Sequence, residues 1–319
     1  MKTEKPLDPE ELSLVKLAQE YSDDDKAREL LEQLRWAKGP VCPHCKNHTD
    51  KPIYTLKPKS TSSAPGRKGL YKCGACRKQF TVTVGTIFED SHIKIGTWLM
   101  AIFILCSSKK SISAHQLHRM LGITYKSAWF MAHRIRYAMG PELPLGKLLN
   151  GIVEGDETFV GGKGLARDRY IQKTPVVALI ERGGAMRAEV MVNVTQKNLR
   201  KVLDETVSKE AILCTDEHPS YKPVGKTYKA HHSVIHSKFE YARKEKDGTN
   251  VHCNTCESFF SLLKRGVHGS WHHVSREHLH RYANEFAFRW NHRHITDGER
   301  MQQAVKVTEG KRLTYRQAI

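Results

Sequence analysis

Apolar side chains recur at helical spacing twice near the start of the chain, as Leu14, Leu17, Ala18 and Tyr21 and then as Ala27, Leu30, Leu31 and Leu34. This spacing predicts two short helices within Pro6–Trp36, separated by Ser22-Asp23-Asp24-Asp25, which can cap the second. A Lys/Ser/Pro/Gly-rich stretch, Lys57–Lys68, reads as a loop. Helical periodicity returns from Lys94 to Met139 and stops at Gly140-Pro141-Glu142-Leu143-Pro144, which sets a domain boundary. Inside that stretch, Ser113–Leu121 predicts one short helix, Gly122-Ile123-Thr124 a turn, and Tyr125–Met139 a second helix. Ala114, Leu117, Leu121 and Ile123 are apolar where a helix-turn-helix packs inward. Lys126, Ser127, His133, Arg134 and Arg136 are then expected on the outer surfaces of the second helix, suited to phosphates and base edges.

Beyond the boundary the pattern becomes mixed. Gly151–Val160 reads as a strand, followed by a Gly-Gly-Lys-Gly loop; Pro175–Glu181 and Ala188–Val194 read as a hairpin turning at Arg182-Gly183-Gly184. Gln196–Val207 is an amphipathic helix, Ala211–Thr215 a short apolar strand, and Asn254–Arg265 and Arg276–Asn291 are helices. Strand, hairpin, helix, strand, helix is the element order of an RNase H-like α/β fold, a mixed five-stranded sheet flanked by helices. The stripe Tyr282, Phe286 and Trp290 has helical spacing and reads as core.

The predicted organisation is therefore a helical segment at 1–36, a module at 37–90, a helix-turn-helix region at 91–140, an α/β core at 148–295 and a tail at 296–319. The longest apolar run, near Trp98–Cys106, is far shorter than the roughly 20 residues that span a bilayer, and Met1–Glu32 lacks the apolar run of a signal peptide. A cytoplasmic protein with no membrane association is expected. Charge then narrows the partner. The net charge is +18, and residues 1–35 hold ten acidic against six basic side chains, so the surplus on the rest of the chain is larger still. Such a surplus attracts polyanions, of which nucleic acid is the commonest in a cell.

Eight cysteines in such a chain suggest metal ligation or free thiols. Cys42-Pro-His-Cys45 and Cys73-Gly-Ala-Cys76, separated by 27 residues, form two CxxC knuckles that can place four thiolates around one structural Zn2+. His44 falls inside a knuckle, where its geometry for ligation is poor. Ile53-Tyr54, Tyr71-Lys72 and Gln79–Val82 supply the strands of a zinc ribbon. A third CxxC, Cys253 and Cys256, has no partner pair and reads as packing on a helix.

Asp156 interrupts an otherwise buried strand, and Asp216 stands just past the strand Ala211–Thr215. Either alone could merely end its strand and cap a turn. As a pair they suit a hard divalent ion bound through oxygen, with positions left open for a phosphate. A third ligand would come from Asn254–Lys264, where Asn254, Glu257, Ser261 and Lys264 share one helical stripe. Strand alternation puts Glu154 on the face of Asp156 and Glu157 on the opposite face, making Glu154 the reserve ligand and Glu157 a poor one. None of the eighteen histidines shows His-Glu-x-x-His spacing.

The chain resembles bacterial insertion-sequence transposases of the ISXO-two-like group, with an N-terminal zinc ribbon and a DDE core. The resemblance covers about residues 40–295 and rests on Cys42–Cys45, on YKCGACRKQFTVTVGTIF at Tyr71–Phe88, and on VEGDETFVGGK at Val153–Lys163. TDEHPSY at Thr215–Tyr221, NTCESFFSLLK at Asn254–Lys264 and EFAFRWNHR at Glu285–Arg293 complete it. It implies an RNase H-like catalytic core with two Mg2+ (or Mn2+) ions held by Asp156, Asp216 and Glu257. Lys264 matches the lysine seven positions beyond the glutamate. In some relatives an asparagine equivalent to Asn254 is the third ligand; an amide oxygen coordinates more weakly than a carboxylate, which favours Glu257 here. The implied activity is binding of double-stranded DNA at element ends, metal-dependent strand cleavage and strand transfer, by a homodimer or higher oligomer in the nucleoid. A related RNase H-fold nuclease or integrase, or a DNA-binding regulator without catalysis, remain the alternatives.

Overall fold

The computed structural model describes residues 12–46, 51–57, 68–140, 148–161 and 173–319. The Gly-Gly-Lys-Gly loop after Gly161 and most of the expected loop at 57–68 and of the boundary at 140–144 lie outside the described residues. Two units form: Met1–Met139 together with His294–Ile319, and Gly140–Arg293.

In the first unit, α1 (Leu14–Glu20) and α2 (Asp24–Arg35) are the two predicted N-terminal helices. The Asp23 carboxylate accepts from the Asp25 and Lys26 N–H groups, satisfying donors that open α2. A three-stranded antiparallel sheet follows, β1 (Ile53–Leu56), β2 (Leu70–Cys73) and β3 (Gln79–Phe80), in that order. Trp36, at the end of α2, meets Tyr71 of β2 edge-on at 5.4 Å and Phe80 of β3 at 6.0 Å. This aromatic triangle seats the helix on the small sheet. Helix α3 (Ile95–Ser107) is apolar nearly all round and buried along most of its length, as a central helix must be. Helix α4 (Ala114–Leu121) ends on Gly122, whose φ of 63° suits glycine, and the Thr124 hydroxyl caps α5 (Tyr125–Ala138).

The second unit is built on a five-stranded sheet. Its strands are β4 (Ile152–Val160), β5 (Thr174–Glu181), β6 (Met186–Val190), then after α6 (Gln196–Thr206) β7 (Ile212–Thr215), and after the short α7 (Tyr221–Gly225) β8 (Ala230–Ser233). The order is β6-β5-β4-β7-β8, with β4, β5 and β6 antiparallel and β7 and β8 running parallel to β4. A two-stranded hairpin, β9 (Arg243–Lys244) and β10 (Asn250–Val251), precedes α8 (Asn254–Gly266) and α9 (Leu279–Asn291). Two cores result from the alternation of β4 and β5. Val153, Val177 and Leu179 pack with Leu199 and Leu203 of α6 and Tyr221 of α7, while Val176, Ala178 and Ile180 pack with Phe259 and Leu263 of α8 and Phe286 of α9.

Three elements differ from expectation. The second hairpin strand is Met186–Val190 rather than Ala188–Val194, and β8 was not predicted; its four residues, Ala-His-His-Ser, are all half-buried and carry no alternation. The segment expected as a tail at 296–319 instead forms α10 (Asp297–Lys306) and α11 (Tyr315–Ala318) within the first unit. Met301, Ala304 and Val305 are buried there, and Arg300 Nη1 donates to the Cys106 carbonyl at the end of α3. Among the described residues, no helix is long and apolar enough to cross a membrane.

Candidate metal centres

Both CxxC segments turn in the same way. The Lys46 N–H donates to the Cys42 carbonyl and the Arg77 N–H to the Cys73 carbonyl, with φ values of 51° and 61° at the two donors. At Gly74 a Cβ would stand 2.6 Å from the Pro52 carbonyl oxygen, so only glycine fits that close approach. The turns bring Cys42, Cys45, Cys73 and Cys76 together, all four sulfurs within 4.8 Å of one another. Cys42 Sγ lies 3.7 Å from Cys76 Sγ, and Cys45 Sγ 3.7 Å from Cys73 Sγ. Four sulfurs about 2.3 Å from a central zinc form a tetrahedron with edges of about 3.8 Å. The separations match that edge and are far beyond the length of a disulfide. The Cys76 backbone N–H brings the Cys73 thiol down to about 7, whereas burial pushes Cys42 up. Four thiols this close can all become thiolates only around a cation. The residues fit a structural zinc.

The acidic group is set by strand register. Parallel pairing of β4 with β7 ends at Gly155 opposite Thr215, so the next residue of each segment, Asp156 and Asp216, emerges side by side. Beyond Thr215 the chain leaves the sheet, and the Asp216 Oδ1 accepts from the His218 N–H at 3.0 Å. Carboxylate oxygens of Asp156, Glu157 and Asp216 all lie within 4.8 Å of one another. Burial first, then the Asp216 charge, push Asp156 up to about 8; the same two causes push Glu157 up to about 7. Glu157 and Glu257 raise Asp156 further, so the charges bearing on it are other carboxylates. This crowding is what a bound dication would relieve.

Glu257 stands in the first turn of α8. Cys256, beside it, is fully buried with its thiol 3.7 Å from the carbonyl of Ala178, the residue paired with Asp156 across β4 and β5. That contact lays the start of α8 over the Asp156 position. The Glu257 carboxylate is half-exposed, 4.0 Å from His236 Nδ1, and is not part of the close acidic group. Asn254, Ser261 and Lys264 are exposed along the same stripe, while Cys256, Phe259, Phe260 and Leu263 are buried.

Glu154 and Glu157 are placed differently from expectation. Glu154 is fully buried and committed elsewhere: it accepts from Arg182 Nε at 2.6 Å and from both the N–H and the hydroxyl of Thr255 at 2.8 Å. The N-cap residue of α8, Cys253, supplies no side-chain cap, so Glu154 satisfies the helix start from the neighbouring strand. Glu157 does leave β4 on the face of α6 and α7, as alternation requires, and Tyr221 Oη donates to its Oε2 at 3.0 Å. It still reaches Asp216, because β7 has ended there and no strand separates the two faces. Alternation described the strand correctly but not the space beyond its neighbour's end.

The second helix of the α4–α5 pair requires a correction. Arg134 and Arg136, expected on its outer surface, are 4% and 2% exposed, and His133 is fully buried. Arg134 donates to the carbonyls of Leu313, Ile87 and Glu89, and Arg136 to that of Ile112. Both guanidinium groups bond backbone carbonyls inside the first unit. Lys126 is exposed, with its ammonium 4.7 Å from the centre of the Tyr315 ring, and Arg119 on α4 is exposed as well.

Known families now bear on both centres. The ISXO2-like transposase domain matches residues 148–291, which contain the acidic group, and the transposase zinc-ribbon domain matches residues 22–79, which contain the four cysteines. Over these two stretches the chain is similar to ISXO2-like transposases. It is also 28% identical over 295 residues to an uncharacterized protein in transposable element ISH50 of Halobacterium salinarum, an alignment covering 84% of this chain and 91% of that relative. The two matches thus set the four cysteines in a stretch similar to a transposase zinc ribbon and the acidic group in one similar to a transposase domain.

Proposed function

We propose that the protein is the transposase of an insertion sequence, binding the element's DNA ends and catalysing strand cleavage and strand transfer. What carries this reading is the side-by-side emergence of Asp156 and Asp216 at adjacent strand ends, inside the region matched to a transposase domain. The strand order, with three antiparallel strands followed by two parallel to the first, is that of an RNase H-like core. Asp156 and Asp216 would hold divalent cations, magnesium or manganese, with Glu257 approaching from α8. A bound pair of such ions supplies an activated nucleophile and a stabilised leaving oxygen for in-line attack on a phosphodiester. The chain's own part is to hold the phosphate and exclude competing geometry. Lys264, two turns along α8 from Glu257, contributes a cation to the DNA backbone. Zinc in the ribbon is structural. With Arg134 and Arg136 buried, the DNA-facing surface of the α4–α5 pair is assigned to Arg119 and to Lys126 in the first turn of α5, the part of a recognition helix that enters the major groove. Joining two ends requires at least a dimer on DNA.

The test is single-turnover cleavage of DNA carrying an element end. Magnesium and manganese should support cleavage, and calcium binding without cleavage, because calcium accepts looser coordination. Glu257→Ala should lower the rate by orders of magnitude, and Asn254→Ala much less. Full activity in Glu257→Ala with none in Asn254→Ala would move the third ligand one turn back. Cleavage that persists in EDTA would overturn the metal-dependent reading.

A further inference from the structure

We propose that Glu157 is an additional carboxylate ligand of the divalent-metal centre, aimed into it by the Tyr221 hydroxyl. The inference rests on the reading that Asp156 and Asp216 bind divalent cations, and adds to their set a residue that strand alternation assigns to the wrong face.

Four observations converge on Glu157. Its carboxylate shares the close group with Asp156 and Asp216, which Glu257 does not. Its side chain is only 6% exposed. Among the described residues, no lysine or arginine forms an ion pair with any of these three carboxylates, although the chain carries a net charge of +18. The nearest basic group, His218 Nε2, is 3.9 Å from Glu157 Oε1. Finally, the fully buried Tyr221 spends its one hydroxyl proton on Oε2, which fixes the carboxylate and leaves Oε1 free to coordinate. A hydrogen-bonded carboxylate of this kind is how proteins hold a metal ligand in one orientation.

The geometry also explains why this residue is a glutamate. Asp156 reaches the centre from the α8 side of β4, whereas Glu157 leaves β4 on the α6–α7 side and must come round the end of β7. The extra methylene supplies that reach. Glu157→Asp would therefore keep the charge and lose the position.

Manganese binding to the full-length, zinc-loaded chain without DNA, followed by electron paramagnetic resonance and calorimetry, tests the proposal apart from activity. Asp156→Asn should abolish the site. Glu157→Gln and Glu157→Asp should each weaken it by about tenfold or more, and Tyr221→Phe by less, since the carboxylate remains but is no longer aimed. Melting in EDTA guards against misfolding: Glu157→Gln removes a repelling charge and should be as stable as the parent or more so. If Glu157→Gln binds manganese like the parent while Asp156→Asn does not, Glu157 is no ligand and the metal reading stands. If Asp156→Asn itself binds manganese like the parent, the metal reading falls, and this proposal with it.

Discussion

Arg134 shows how far a residue's role depends on what covers it. Its guanidinium donates to three backbone carbonyls, those of Ile87, Glu89 and Leu313, which come from segments far apart in the chain. Replacing it strands those acceptors in a buried place. Arg134→Ala should destabilise the protein by roughly 3 kcal/mol in chemical denaturation, while DNA affinity, measured where the variant is still folded, should hardly change. A variant of unchanged stability that binds DNA weakly would return Arg134 to the surface role expected from the sequence. That expectation was reasonable from one helix alone. Cationic residues on an amphipathic helix usually face water, and only the packing of α11 and of the 87–89 segment shows that this face is covered. Asp156 and Asp216 were legible because a carboxylate has few reasons to stand where a buried strand runs or ends. Glu157 was not, because alternation gives the direction of a side chain and not where the neighbouring strand stops.

Among the elements, β4 and α8 are tied to each other by side-chain bonds. Glu154 on β4 accepts from the start of α8 and from Arg182 just past β5, so one buried carboxylate ties the strand of Asp156 to the helix of Glu257. Glu154→Ala should cost about 3–5 kcal/mol, because it leaves the Arg182 charge without its buried partner. Loss of stability beyond the range of a surface change, seen by calorimetry, is the expected result; a variant as stable as the parent would show that the clamp holds nothing. The ribbon makes a parallel case. Metal analysis should find about one zinc per chain, and Cys73→Ser should release it and unfold the ribbon while the α/β unit stays folded. A zinc-free protein with a fully folded ribbon would contradict the tetrahedral site. Both CxxC pairs and the regular α/β elements could be read from spacing, since four cysteines at that interval and a long amphipathic period each have one economical solution. The helices α10 and α11 could not: their buried residues, Met301, Ala304, Val305 and Ala318, are few, and their partners are the helices α2, α3 and α5 near the other end of the chain.

For the whole molecule, the two candidate metal centres lie in different units. The cysteine cluster and the α4–α5 pair lie in the unit made from both ends of the chain, and the acidic group lies in the α/β unit between them. The net charge of +18 favours polyanions independently of Asp156 and Asp216, so DNA binding and cleavage should separate cleanly by mutation. The most direct measurement is therefore paired: binding and magnesium-dependent cleavage of the same end-containing DNA by the parent chain and by Asp156→Ala and Asp216→Ala. Both variants should bind as tightly as the parent, or more tightly because negative charge facing phosphate is gone, while cleavage falls by several orders of magnitude. Cleavage at the parental rate by either variant, with binding intact, would rule out a catalytic part for that aspartate.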